Sequence, residues 1–337
     1  MDELELKLCV SCLPGLSGMQ KLAVSLTGIT VSKILRFTYG TFQDFLYEYH
    51  IIARRDRTPP HPFDRGSIER GMETLLKWVS RTDRGIVFLG DPLYPPYLAM
   101  GENPPYRLCC AGTIPGQEIR LLAVAGTRTP TGAAICECYR FGLDAALNGV
   151  FPISSLSVGC DQACARGVVD AGGGTWALLP CGTEYPYPSC PKLRETMIAN
   201  GGGLLSPFLP DEPPLRWRFL YRNELLATVA PWIVLFQGGV RSGTLLIADS
   251  ALRHGRDILV HQEGAIDLPA SRGTHGLVRD GAGVIDGYRG LSQASKGLYP
   301  CLRSVRPVDG SHVSPEDLWK QNGSGSLYRY RNAWYSL

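Results

Sequence analysis

Apolar residues recur at mixed spacings of three and four along the first 80 positions: Leu8, Leu13, Leu16, Leu22, Leu26, Ile29, Ile34, Leu35, Phe42, Phe45 and Leu46. That rhythm predicts a helical region over residues 1–80. From position 120 the rhythm changes. Short continuous apolar runs stand at Leu121–Ala125, Phe151–Leu156, Thr175–Pro180, Gly203–Ser206, Trp232–Phe236, Asp257–His261 and Gly283–Ile285. Helical stretches separate them at 131–148, 161–171, 191–200, 222–229, 244–254 and 274–280. Alternating apolar strands and helices predict an α/β fold, a mostly parallel sheet of Rossmann type with helices on both faces. A small helical domain precedes it.

Between the two patterns, residues 81–119 hold a strand-like GIVFLG and then a connector rich in proline (Pro92, Pro95, Pro96, Pro104 and Pro105). Proline lacks the ladder donor and clashes inside helices, so this stretch is expected to be neither a helix nor a central strand. Residues 120–290 form the expected Rossmann-like domain. From 291 to 337 the pattern fades, and a loosely ordered tail is expected.

Within the helical region, LPGLSGMQKLAVSL (13–26) reads as a helix–turn–helix packing unit. A helix-hairpin-helix that offers turn N–H groups to a phosphate is the other reading. Ser17 stands where that motif usually has Gly, which favours plain packing.

Charge narrows the function classes. The chain's 34 Lys and Arg against 31 Asp and Glu leave a net +3, so any attraction for nucleic acid must come from a local basic patch. The acidic start MDELELKLCV has no basic stretch ahead of an apolar one, and LLATVAPWIVLF is too short to span a bilayer. A cytoplasmic protein without membrane contact is expected. The 11 cysteines are odd in number and include a single CxxC, Cys9–Cys12, so buried free thiols are expected rather than disulfides or zinc. The six histidines fall in no metal-binding spacing. No metal and no cofactor are expected.

In an open parallel sheet, ligands sit beyond the carboxyl ends of the strands, so the loops leaving each strand carry the candidate chemistry. In AGTRTPTGAA (125–134), Gly126, Thr127 and Arg128 precede a helix expected to begin near Pro130, which suits a phosphate. It is not a GxGxxG turn, and a dinucleotide is not favoured. SSLSVGCDQACARG (154–167) sets Ser154, Ser155 and Ser157 at a strand end. Gly159 there allows a close backbone approach, and Asp161 is the expected N-cap. FQGGVRSGTLLIADSALRHG (236–255) places Arg241, Ser242, Gly243 and Thr244 at a second helix N-terminus, without the Lys of a nucleotide-hydrolase loop. PASRGTHGLVRDGA (269–282) repeats the theme with Arg272, Gly273 and Thr274. PPLRWRFLYRNELLA (213–227) interleaves Arg216, Arg218 and Arg222 with Trp217, Phe219 and Tyr221, a pattern that suits single-stranded nucleic acid. None of these loops supplies a general base, a nucleophile or a ligand cluster. A row of phosphate seats without chemistry predicts binding of a polyanion rather than turnover, and no catalytic residue is named.

From about 11 to 286 the chain resembles the DprA/Smf family of bacterial DNA-processing proteins. The blocks run in family order: LPGLSG, GDPLYPPYL, NPPYRLCCAG, VAGTRTPTG, SLSVGCDQACARG, AGGGTWALLPCGTEYPYP, GGGLLSPFLPDEPPLRWRF, YRNELLATVAPWIVLF, VRSGTLLIADSALRHGRDI and SRGTHGLVRDGA. The resemblance implies an extended Rossmann fold, single-stranded DNA held in a basic pocket, and a homodimer. It also implies protection of incoming DNA and loading of a RecA-type recombinase during natural transformation. Carried onto matching positions, the DNA-binding candidates are Gly126, Thr127, Arg128, Arg222, Asn223, Ser242, Gly243, Thr244, Arg272, Gly273 and Thr274.

Three positions depart from the family pattern. Val158 stands in place of an Arg, Ala165 in place of a His, and Glu224 in place of the second Arg of an Arg-Asn-Arg run. Each lost phosphate contact predicts weaker, less salt-dependent binding. Two other readings stay open. One is a nucleotide-ligand sensor or phosphoribohydrolase-like enzyme on a similar fold, although the helix after Gly243 offers no catalytic Glu. The other is a protein-interaction module that has lost DNA binding.

Overall fold

The computed structural model describes residues 3–53, 63–299, 301, 306–308, 327–330 and 333–336. Five helices open the chain: α1 (Glu3–Ser11), α2 (Gly18–Leu26), α3 (Val31–Ile34), α4 (Tyr39–Glu48) and α5 (Arg65–Val79). Their starts are written in the sequence. Ser17 caps α2 in a capping box with Gln20, Thr30 caps α3, Thr38 caps α4 and Asp64 caps α5.

The remaining elements alternate. They are β1 (Arg84–Phe88), α6 (Pro96–Ala99), β2 (Arg107–Gly112), β3 (Arg120–Ala125), α7 (Gly132–Leu147), β4 (Val150–Ser154), α8 (Cys160–Asp170) and β5 (Trp176–Leu178). Then come α9 (Pro191–Ala199), β6 (Gly203–Ser206), α10 (Arg216–Thr228), β7 (Trp232–Leu235), α11 (Gly243–Arg253), β8 (Asp257–His261), α12 (Arg272–Arg279), β9 (Gly283–Ile285) and α13 (Tyr288–Ala294). Nine strands make one sheet in the order β1-β2-β6-β5-β4-β3-β7-β8-β9. From β6 to β9 every pairing is parallel, while β1–β2 and β2–β6 are antiparallel. The inner parallel strands are buried beneath helices, as continuous apolar runs require, whereas the edge strand β9 leaves Gly283 and Val284 exposed. This is the Rossmann-like α/β fold expected from the alternation.

Three expectations need correction. The connector is not free of regular structure: α6 starts on Pro96, and β2 lies inside the sheet between β1 and β6. No proline falls within β2, since Pro105 stands two residues before it and Pro115 after it, and Pro96 occupies a first-turn position that needs no N–H donor. Helix α10 begins at Arg216 rather than near 222, so the basic and aromatic stretch is helical. The tail is not wholly irregular either. Arg306–Val308, Ala333–Ser336 and Leu327–Tyr330 pair as a second, three-stranded antiparallel sheet.

The helical region is docked on the sheet. Leu8, Leu46 and Leu75 share one buried cluster with Leu108 of β2, Leu205 of β6 and Leu225 of α10. The turn before α2 lies against the connector. A Cβ on Gly18 would fall 1.8 Å from the Pro104 carbonyl oxygen, so only glycine allows this approach. The turn 13–18 therefore packs, and Ser17 serves as a cap.

Candidate nucleic-acid interface

The sheet reverses its winding at β3. From there the chain runs outward through β4, β5 and β6 on one side and through β7, β8 and β9 on the other. Such a switch point opens a crevice at the strand ends because the flanking loops leave in opposite directions. Here the loops after β3, β4 and β7 line a cavity of about 580 Å³, closed on one side by α10 and by the first turns of α11.

Eight of the eleven predicted residues line it: Gly126, Thr127, Arg128, Arg222, Asn223, Ser242, Gly243 and Thr244. Arg272, Gly273 and Thr274 do not. Arg272 is exposed and 3.5 Å from Asp267. The Gly273 and Thr274 N–H groups both donate to the Gly238 carbonyl, and the Thr274 hydroxyl donates to the Gly264 carbonyl at 2.8 Å. These two residues buttress the glycine turn that leads to Ser242. Arg241, in that same turn, is exposed with φ near 60° and lies outside the cavity lining.

The loop after β3 carries Arg128 at the rim, exposed to solvent. The helix that follows starts later than expected. Thr131 is the N-cap of α7, its hydroxyl accepting from Ala134 N, and Pro130 lies just outside the helix. This loop and the one after β4 touch: Cys160 N donates to Thr127 O at 3.2 Å. Gly159 stands at the contact with φ near 96°, where a Cβ would fall 2.5 Å from Thr127 O.

Asp161 is not a cap. Helix α8 begins at Cys160 behind Gly159 with no side-chain cap. The Asp161 carboxylate instead turns back to accept from Ser155 Oγ and from Ser157 N at 3.2 Å, while Ser155 and Ser157 share a 2.8 Å hydroxyl contact. Burial raises the carboxyl pKa, against the Ser155 hydrogen bond and the Arg222 charge that lower it. It is the one acidic side chain lining the cavity among the described residues.

Arg222 lies on the inner side of α10 and is 3% exposed. Its Nη1 donates to the carbonyls of Ser155 and Leu178, both at 3.2 Å, and its Nε donates to Asn223 Oδ1 at 3.1 Å. Nη2 has no hydrogen-bond partner among the described residues. Burial lowers the guanidinium pKa to about 10, with Asp161 opposing and Arg128 assisting, so the group stays charged at neutral pH. Asn223 holds its amide nitrogen beside Gly243. At the start of α11, Ser242 Oγ accepts from Leu245 N, which leaves the Gly243 and Thr244 N–H groups without intrahelical partners. An exposed guanidinium, a buried one, an amide and a bare helix N-terminus thus face one volume. Together these groups favour an oxyanion.

Among the lining residues absent from the predicted set are Ser155, Ser157, Arg216 and Phe219. Their signals were present in the serine run at a strand end and in the basic and aromatic stretch. That stretch does not act as a ladder of stacking rings. Arg218 turns inward to Glu212 at 3.0 Å and to the Phe208 ring, Tyr221 donates to Asn103 O, and Phe219 packs edge-on against Tyr187. Trp217 alone of its three aromatics stays exposed. Of the three departures from the resemblance, Val158 is 61% exposed, Ala165 is buried in α8, and Glu224 faces His254 away from the cavity lining.

The family of DNA recombination-mediator protein A matches residues 85–295, more than half of the chain. The chain belongs to that family. Among curated relatives, protein Smf of Escherichia coli is 28% identical over 63% of this chain and 57% of its own length. The DNA processing protein DprA of Streptococcus pneumoniae is 29% identical over 58% of this chain and 68% of its own. A putative DNA processing protein DprA of Mycobacterium tuberculosis is 36% identical over 49% of this chain and 42% of its own. The matched part thus spans about half of the length of these relatives.

Two solved structures share the fold. The S. pneumoniae DprA structure superposes with a TM-score of 0.65 at 22% identity, covering 87% of this chain and 98% of that one. The Helicobacter pylori DprA structure, described for its single-stranded DNA binding mode, gives 0.55 at 23% identity, covering 65% and 99%. No helix among the described residues is long and apolar enough to cross a membrane.

Proposed function

We propose that this protein binds single-stranded DNA by its phosphate backbone in the cavity between β3, β4, β7 and α10. The observation that carries the reading is the convergence of Arg128, Arg222 and the unpaired Gly243 and Thr244 N–H groups at the switch point of the sheet. A phosphate seated there exchanges its water shell for a guanidinium and fixed backbone dipoles. Arg128 and Arg216 extend the positive rim along which a flexible strand continues. The family, and the binding mode named for the H. pylori relative, support the same reading.

The role is binding rather than turnover. Asp161, the one acidic side chain lining the cavity among the described residues, is buried, and its Oδ2 is taken up by Ser155 Oγ and Ser157 N. Residues 120–290 act as the DNA-binding unit, with the helical region 1–80 docked behind it. Finer steps follow the family: processing of DNA during transformation, protection of the strand, loading of a RecA-type recombinase, and action as a homodimer in the cytoplasm.

The direct test is a fluorescence-anisotropy titration with single-stranded and double-stranded oligonucleotides at two salt concentrations. Tighter binding of the single strand, weakening steeply with salt, is the expected result. Equal affinity for both forms, or none for either, overturns the proposal and moves the interaction-module reading ahead.

A further inference from the structure

Away from the DNA cavity, three side chains from distant parts of the sequence meet. Glu102 lies in the connector between α6 and β2, Glu224 lies on α10, and His254 is the C-cap of α11. One ligand atom from each falls within 4.8 Å of the others. The His254 side chain is only 7% exposed, and its Nε2 has no hydrogen-bond partner. That atom lies 3.9 Å from Glu224 Oε1, beyond hydrogen-bond reach. A buried ring nitrogen left unpaired loses its water without compensation, at a cost that native structures rarely tolerate. Here it faces two carboxylates across a gap.

We propose that Glu102, Glu224 and His254 bind a divalent transition-metal ion, with Zn²⁺ the best match. One imidazole and two carboxylates are ligands that Zn²⁺ takes at about 2.0–2.2 Å, and water completes a four-coordinate shell. Donor atoms around such an ion lie roughly 3.3 Å apart. The three groups need to close by at most about 1.5 Å, and Glu102, exposed on the connector, is free to make that movement. The position also favours a cation electrostatically, because the carbonyl end of α11 carries the negative end of the helix dipole.

The site has a structural consequence. Helix α11 runs from its N-cap Ser242 at the cavity to its C-cap His254, while α10 presents Arg222 and Asn223 to the cavity and the next residue, Glu224, outside it. A bound ion ties the connector, α10 and α11 together behind the cavity. It stiffens the two helices without touching DNA.

The experiment uses the full chain, stripped with a chelator and titrated with Zn²⁺ by calorimetry, alongside a thermal melt. The expected result is one equivalent of Zn²⁺ per chain and a raised melting temperature. Glu224→Gln and His254→Ala should each weaken uptake at least about ten-fold, with circular dichroism confirming the fold. Glu102→Gln changes an exposed residue and should weaken uptake without affecting folding. Absence of uptake by the parent, or uptake that survives any of the three substitutions in a folded variant, overturns the site. The DNA titration is independent of this outcome, since none of the three residues lines the cavity.

Discussion

Asp161 and Arg222 form a buried pair of opposite charge that does not close into a direct hydrogen bond. The carboxylate accepts from Ser155 and Ser157, whereas the guanidinium donates to the backbone of Ser155 and Leu178. Each charge lowers the cost of burying the other, yet each is held by a different set of partners. The serine loop after β4 is the bridge: it feeds a hydroxyl and an N–H to the acid and a carbonyl to the base. The arrangement keeps a cation at the floor of the cavity with Nη2 unspent.

Replacing the acid should separate stability from binding. Asp161→Asn keeps an oxygen for the Ser155 and Ser157 donors but leaves Arg222 buried without a counter-charge. Breaking a buried pair in this way costs about 3 kcal/mol or more. A DNA phosphate supplies the missing negative charge, so single-stranded DNA should raise the melting temperature of Asp161→Asn more than that of the parent. A smaller DNA-dependent shift in the variant would show that the phosphate does not reach Arg222.

Arg128 is the cleaner probe of affinity because it is exposed and contributes nothing to the core. Arg128→Ala should weaken single-stranded DNA binding by about 1–3 kcal/mol and reduce the salt slope by about 0.7, one phosphate contact. Oligonucleotides of different sequence should lose the same amount, since phosphate contacts carry no base information. Unaltered affinity in a folded Arg128→Ala protein would place the DNA elsewhere.

The sheet was legible because its strands are short apolar runs between helices, and the switch-point rule then pointed to the loops. Gly126–Arg128 and Ser242–Thr244 could be placed from that rule alone. The Arg272–Thr274 loop follows the same local pattern, yet it leaves the outer side of the sheet and spends its N–H groups on Gly238. Sequence rhythm does not reveal which strand end lies beside which. The inward turn of Arg218 was hidden for a related reason. Its partner Glu212 lies ahead of the helix, and only the helical register of α10 brings the two together. The grouping of Glu102, Glu224 and His254 depends on contacts 30 and more residues apart, which no local motif encodes.

Gly159 joins the two loops that carry Arg128 and Asp161. A side chain there meets Thr127 O at 2.5 Å and must also sit at φ near 96°. Gly159→Ala combines overpacking, worth about 1–3 kcal/mol, with a backbone region that only glycine adopts freely. It should lower the urea midpoint and weaken DNA binding together, because the loops must part to admit the methyl group. Arg128→Ala should affect binding alone. A Gly159→Ala protein with parental stability would mean that the loops separate without strain.

Lys21 gives the molecule a pH dependence of predictable sign. Its Nζ donates to Ser11 O at 2.8 Å, and Arg107 Nη1 donates to the same carbonyl at 3.1 Å, so two cations crowd one acceptor. Burial, with Arg107 adding repulsion, lowers the Lys21 pKa from 10.5 to about 7. In the unfolded chain the amine regains its ordinary pKa. Between pH 7 and 10.5 the unfolded state therefore binds a proton that the folded state lacks, and stability rises with pH. Below about 7 both states carry the proton, and this contribution flattens at its least favourable level. The slope can reach about 1.4 kcal/mol per pH unit. Lys21→Met removes the titrating group but keeps an unbranched apolar stem of similar length. Urea unfolding measured from about pH 6 to about pH 9.5 should show the parent gaining stability relative to Lys21→Met above pH 7, and no relative change below it. Parallel profiles across the whole range would mean that Lys21 keeps its proton in the folded protein, with Ser11 O and solvent sufficient to hold the charge beside Arg107.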